Sequence, residues 1–356
     1  MEKTITNNPN GYAEIRNIII DNPEKFIYKK DLFDYGLKIM HLITKRGYHP
    51  FWKGFYYNPF DQKTPAHFFN TINLGRNPFK VHFETTLPRL GKAPKWLYRL
   101  GIKKLASKNC KEIIAISQCA YDLQIKHLKE NYPKYLDAIS AKMKVVLPPQ
   151  KPLIKSYSEK TLPTDKIIFT LVGGDFFRKG GRETLQVFDK LIPLHPNLHL
   201  NIVSSLAFGD YATHTTKEDK EEALKIINKY PNNITHYNSL PNDKVLQLFV
   251  NSHVGLLPTW ADSFGYSVLE AQAAGCPNIT TDIRALPEVN NNEIGWIIKV
   301  PQTESKNALI ETEEQRVDFS KLLKNELLKI VKDIVENPTQ IEIKGTKSLN
   351  EVKRDR

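Results

Sequence analysis

From residue 66 onward, short apolar runs alternate with stretches in which apolar residues recur every three or four positions. Runs rich in β-branched and aromatic residues predict strands at Phe79–Phe83, Glu112–Ser117, Lys144–Leu147 and Lys166–Val172. Further runs predict strands at Leu198–Val203, Ile234–Tyr237, Val254–Leu257, Ile279–Thr281 and Gly295–Ile298. Helical spacing intervenes at Pro94–Ser107, Cys119–Asn131, Glu183–Leu194, Lys217–Lys229, Asn242–Asn251 and Phe319–Val335. Such alternation predicts an α/β fold with doubly wound parallel sheets. Pro148-Pro149 and the polar stretch from Ser156 to Asp165 predict a linker, giving domains 1–150 and 151–356. Two stretches stay open. Before residue 60, Ile18-Ile19-Ile20 and Leu37–Ile43 fit strand or helix equally. The polar Lys344–Arg356 reads as disordered.

One stretch organises the rest: Ala261 to Pro277, ADSFGYSVLEAQAAGCP. The apolar run Val254–Leu257 feeds a turn at Asp262-Ser263-Phe264-Gly265, and a helix follows until Gly275-Cys276-Pro277 stops it. A helix start at the carboxyl end of a parallel strand favours an anion through its backbone N–H groups and dipole. Asp262 and Glu270 stand eight positions apart, a little over two helical turns, so both can border one pocket and accept from sugar and ribose hydroxyls. An ordinary amphipathic helix carrying an exposed Glu fits the same letters. A second loop, Gly173-Gly174-Asp175-Phe176-Phe177-Arg178-Lys179-Gly180-Gly181, follows the Lys166–Val172 run. Its glycines allow close backbone approach, and Arg178 and Lys179 can neutralise a diphosphate. A plain surface loop is the alternative. Lys179 and Glu270, beside a helix start or on an exposed flank, are expected to add little to stability.

Together, D-S-F-G-Y-S-V-L-E-A-Q-A-A-G-C-P, the following T-T-D-I-R-A-L-P-E-V and the earlier G-G-D-F-F-R-K-G resemble the donor elements of family 4 glycosyltransferases of the GT-B fold. Asp262 stands where many members carry Glu, so the charge is kept. The resemblance implies two Rossmann-like domains facing across a cleft, with acceptor in the first and nucleotide sugar in the second. It implies that Glu270 holds the ribose, Asp262 the sugar hydroxyls, and Arg178 and Lys179 the leaving diphosphate. It further implies that Ser263, Phe264 and Gly265 border that diphosphate, that Gly173 and Gly174 approach it, and that Asn238 and Leu240 flank the base. Near Phe79–Phe83, F-K-V-H-F-E-T-T-L-P-R also resembles the family's first domain, and His82 and Glu84 compete for the catalytic position at the strand's end. No bound metal and no cofactor are implied, and anomeric retention is expected. A GT-B nucleotide-sugar epimerase and a non-catalytic transferase-like partner are the other readings.

Composition adds two points. Lys plus Arg number 51 against 39 Asp plus Glu, and the excess is uneven. From Thr85 to Lys111 stand Arg89, Lys92, Lys95, Arg99, Lys103, Lys104, Lys108 and Lys111, with no acid. Such a stretch suits nucleic acid or anionic lipid, and with no nucleic-acid motif beside it lipid is favoured. Three cysteines lacking metal-like spacing read as reduced thiols, and no apolar run is long enough to span a bilayer. A cytoplasmic protein, peripheral at the inner face of a membrane, is expected, with a surface glycan or glycolipid as acceptor. The aromatics Tyr48-His49-Pro50-Phe51-Trp52 and Phe55-Tyr56-Tyr57 read as packing, or alternatively as a stacking surface for substrate.

Overall fold

The computed structural model describes residues 3–8, 10–45 and 50–354. Tyr48 and His49, from the aromatic run, lie outside the described residues. The chain divides into two compact units, Met1–Pro149 and Gln150–Arg356.

The first unit runs β1 (Thr4–Thr6), α1 (Tyr12–Glu14), β2 (Phe26–Tyr28), α2 (Leu32–Thr44), α3 (Pro50–Gly54) and β3 (Phe55–Tyr56). It continues with β4 (Ala66–Phe69), β5 (Ile72–Asn73), β6 (Phe79–Phe83), α4 (Lys95–Ala106), β7 (Cys110–Ala115), α5 (Gln118–Asn131), α6 (Leu136–Ser140) and β8 (Met143–Val145). The main sheet has the order β2-β1-β4-β6-β7-β8, and its pairings are parallel. In β6 the period of two puts Phe79, Val81 and Phe83 into the core while Lys80 faces out. The two ambiguous stretches resolve into helix. Ile15–Ile19 is a π-helical turn, and Leu37–Ile43 belongs to α2, opened by a capping box between Asp31 and Asp34. Ser117 caps α5 by accepting from the Ala120 N–H at 3.0 Å.

The second unit comprises β9 (Ile167–Val172), α7 (Gly181–Leu191), β10 (Leu198–Val203), α8 (Lys217–Lys229), β11 (Ile234–Tyr237), α9 (Asn242–Val250) and β12 (Val254–Leu257). After these come α10 (Tyr266–Ala273), β13 (Asn278–Thr281), α11 (Leu286–Val289), β14 (Trp296–Ile298), α12 (Glu313–Glu336) and α13 (Thr339–Lys353). Its parallel sheet has the order β11-β10-β9-β12-β13-β14, which in order of appearance is 3-2-1-4-5-6. This is the doubly wound, Rossmann-like arrangement, and its switch point lies between β9 and β12, where successive connections leave to opposite sides.

Two expectations need correction here. The polar stretch from Ser156 to Asp165 is no free linker, because Leu153 just before it and Lys160 within it are fastened to the second unit. Leu153 donates its N–H to the Ala273 carbonyl at 2.8 Å, and the Lys160 ammonium donates to the carbonyls of Ala274 (2.7 Å) and Phe249 (3.2 Å). Residues Lys344–Lys353 are not disordered either, for they complete α13. That helix buries Ile341, Leu349 and Val352, and Gly345 lies so close to the Gly275 carbonyl that a Cβ would stand 2.5 Å from it. Polarity misled because the apolar residues of α13 are few, though correctly spaced for one face.

Candidate functional site

At the switch point the loops leaving β9 and β12 meet. Gly180, at φ +79°, opens α7, and a Cβ there would lie 2.0 Å from the Pro258 carbonyl oxygen. Only glycine serves at that position. The close approach sets Arg178 and Lys179 beside the second loop. The Arg178 carbonyl accepts from the Trp260 N–H at 2.9 Å and from the Thr259 hydroxyl at 2.9 Å. Its guanidinium donates through Nε to Asp175 at 2.7 Å and through Nη1 to the Ala261 carbonyl. The Lys179 ammonium pairs with the Asp262 carboxylate, both side chains being nearly covered.

Asp262 also accepts from the N–H groups of Phe264 (3.1 Å) and Gly265 (3.0 Å), closing the turn into α10, whose N-cap Gly265 has φ +91°. Burial works against its charge, but Lys179, the Phe264 N–H and Arg178 outweigh burial and hold the carboxyl below the usual range. Part of the helix terminus that sequence reasoning reserved for a ligand is therefore occupied by Asp262. Lys179 retains donor capacity, since an ammonium carries three N–H groups.

Glu270 sits in α10 at only 3% exposure, which overturns its reading as an exposed flank. Asn242, at the start of α9, donates to its carboxylate at 3.2 Å. Gly173 lies under the Lys179 side chain, whereas a Cβ on Gly174 would meet nothing within 4 Å. The Gly174 carbonyl is held by the hydroxyls of Ser204 and Ser205, each at 3.2 Å. That leaves open space where a ligand can approach the backbone. Asn238 is exposed and Leu240 half-buried just past β11, and Ser263 is half-buried in the second loop. Asp175, Asn242, Ser204 and Ser205 escaped sequence reasoning. Asp175 pairs with Arg178 only three positions on, whereas the partners of the other three lie far away in the chain, where no local pattern marks them.

In the first unit the structure separates the two candidates at the end of β6. His82 is 6% exposed and stacks on His67, with Nδ1 2.9 Å from the His67 Nε2. Burial, with His67 as a neighbour, pushes its pKa down to about 3. Glu84 instead lines a cavity of about 430 Å³, where it pairs with Arg89 and accepts from Asn70 at 3.4 Å. Glu14, at 8% exposure, borders the same cavity. Burial pushes its carboxyl up to about 7, against its own backbone N–H and Lys53. Burial does the same to Asp31, also to about 7.

Residues 155–326 match the family model described as glycosyl transferases group 1. The second unit carries a glycosyl transferases group 1 domain. Its doubly wound sheet and the two loops joined at the switch point fall within that match. One phosphatidylinositol N-acetylglucosaminyltransferase subunit from Arabidopsis thaliana is 23% identical over 126 residues, 35% of this chain and 26% of that protein. The chain spans about a quarter to a third of the length of the curated relatives it matches. Among solved structures, a UDP-forming α,α-trehalose-phosphate synthase from Burkholderia xenovorans aligns with TM-score 0.56 at 11% identity, covering 96% of this chain and 81% of that one. Anabaena HepE in complex with UDP aligns with TM-score 0.55 at 11% identity, covering 93% and 81%. The group 1 domain thus sits in a chain with the GT-B fold, each unit having its own parallel sheet.

Proposed function

We propose that this chain is a glycosyltransferase that moves a sugar from a nucleoside-diphosphate sugar to an acceptor hydroxyl. The observation that carries the reading is the meeting of Arg178, Lys179 and Asp262 across the switch point of a group 1 domain. Charge grows on the diphosphate as the glycosidic bond breaks, and preorganised cations meet it without rearranging solvent. Lys179, fixed by Asp262, donates to a phosphate oxygen with its remaining N–H groups, and Arg178 adds a second positive charge. Gly174 leaves room for the diphosphate. Glu270 accepts from the ribose, steadied by Asn242. The acceptor enters the cavity of the first unit, where Glu84 and Glu14 accept from its hydroxyls. Retention of configuration is part of the proposal through the family resemblance. Calorimetric titration with uridine, guanosine and adenosine diphosphates tests the donor site. Absence of binding by all three would remove its basis.

The cations already in place make the diphosphate independent of a divalent ion, and the nearby carboxylates are engaged: Asp262 by Lys179, Asp175 by Arg178. Turnover is expected to persist in excess chelator. Complete loss, restored by magnesium or manganese, would show the leaving group to be met by metal instead.

A membrane-borne acceptor fits the basic face of α4, on which Lys95, Arg99 and Lys103 are exposed just after the exposed Lys92 of the preceding loop, whereas Lys104 is tied to the Gly75 carbonyl at 3.2 Å. Replacing those four exposed bases by Glu is expected to lower cosedimentation with anionic vesicles at least tenfold, each base contributing about 1 kcal/mol near a charged surface. Unchanged binding would assign α4 to solvent.

A further inference from the structure

A helix covered on one side by its own domain ordinarily turns a polar face outward. α2 does not. Phe33 packs against Phe51 and Trp52 at ring distances of 5.9 and 5.8 Å, and Gly36 lies against the Trp52 ring. On the other side stand Leu32, Tyr35, Ile39, Leu42 and Ile43, exposed by 51, 53, 57, 80 and 77%. Their spacing of three, four, three and one places all five within about 100° of arc on a 3.6-residue helix. No acidic residue interrupts the row. From residue 25 to 45 there are five lysines against two aspartates, Asp31 and Asp34, and those two are engaged in the helix's capping box. Lys38 and Lys45 are exposed beside the row.

We infer that α2 seats the first unit on an anionic lipid bilayer, its apolar row entering the headgroup–acyl boundary and its lysines meeting lipid phosphates. Among the described residues no helix is long and apolar enough to cross a membrane, so α2 lies in the surface plane. Charge complementarity selects lipid as the occupant: an apolar stripe rimmed by lysines matches acyl chain beneath phosphate. The opposite flank supports the same choice. Asp34 and Leu37 of α2 line the cavity that holds Glu14 and Glu84, so a helix resting on the bilayer brings a polar, hydroxyl-accepting cavity to headgroup level. Through Phe55, whose ring approaches Gly101, the packing beneath α2 continues to α4, which adds positive charge and the exposed Trp96 but otherwise turns its apolar residues inward. The two helices divide the work: α4 attracts, α2 inserts.

The test is cosedimentation of the full chain with vesicles of phosphatidylcholine containing about a third phosphatidylglycerol, a composition that supplies the anionic surface. The doubly exposed positions make Leu42→Glu/Ile43→Glu safe for folding, and melting curves check that. Partition onto vesicles is expected to fall at least tenfold in this variant, with nucleoside-diphosphate titration unchanged. Lys38→Glu/Lys45→Glu is expected to weaken binding chiefly at low salt. The inference stands apart from the donor reading, whose failure would appear in the nucleotide titration alone. Three results overturn it: no vesicle binding by the unaltered protein, equal binding by Leu42→Glu/Ile43→Glu, or a dimer that this variant turns to monomer while vesicle binding persists.

Discussion

Lys179→Ala is expected to bind a nucleoside diphosphate tenfold to a hundredfold more weakly, and also to lose stability. The first effect follows from a charge-assisted contact worth about 1.5 to 3 kcal/mol. The second follows from the structure. Lys179 and Asp262 are 15% and 11% exposed, and truncating one partner of a covered pair leaves the other charge uncompensated, at a cost of about 3 kcal/mol. The two effects can be pulled apart. Lys179→Met/Asp262→Asn removes both charges, so it should recover most of the stability and none of the affinity. Calorimetric titration beside melting curves reads both. If that double variant binds nucleotide like the unaltered protein, the ammonium does not face the diphosphate.

Glu14→Gln should be more stable than the unaltered chain at pH 8 by about 2 to 3 kcal/mol, and no more stable near pH 4.5. Burial raises the folded-state pKa of Glu14 from 4.5 to about 7. A raised carboxyl contributes its stability in full below the unfolded value and loses it as pH rises through about 7. A shift of this size corresponds to about 3 kcal/mol above both values. His67 and His82 run the other way. Burial lowers them to about 4 and about 3, so the unfolded chain binds their protons first and stability falls as pH drops below about 6.5. These opposed slopes lie in one unit and offset each other in the unaltered protein. The informative quantity is therefore the difference between variant and parent, followed by denaturant titration from pH 4.5 to 8. A difference that does not change over that range would mean that Glu14 is solvated.

The second unit was readable because its signals are local. Val254–Leu257 is a short aliphatic run buried on both faces, Leu198–Val203 alternates buried aliphatics with the half-buried His199 and Asn201, and the limits of both coincide with the observed elements. Resemblance supplied the assignment of the two loops, and periodicity alone did not. Much of what joins them was hidden. The pairing of Lys179 with Asp262, the part-buried Asn242–Glu270 contact and the close approach of Gly180 to Pro258 are all long-range, so neither spacing nor composition could report them. The first sixty residues resisted for another reason. α2 is apolar around most of its circumference, so the run Leu37–Ile43 shows no single face for periodicity to detect. Glu14 gave no signal at all, because a lone carboxyl near the amino end looks like any solvated acid until the cavity closes round it.

α13 changes what the far end of the sequence means for the chemistry. It packs on α10, the helix entered through the turn that Asp262 closes and whose interior carries Glu270. Tyr157 is pressed between the two at Gly345 and Gly275. α10 is thus buttressed from behind by residues more than sixty positions downstream of Glu270. A stop at residue 336 would remove none of the proposed donor-site residues, yet it would strip the backing from the helix that carries Glu270. Lesions near the carboxyl end should therefore present as donor-site defects, with nucleotide affinity failing before the remaining sheet does.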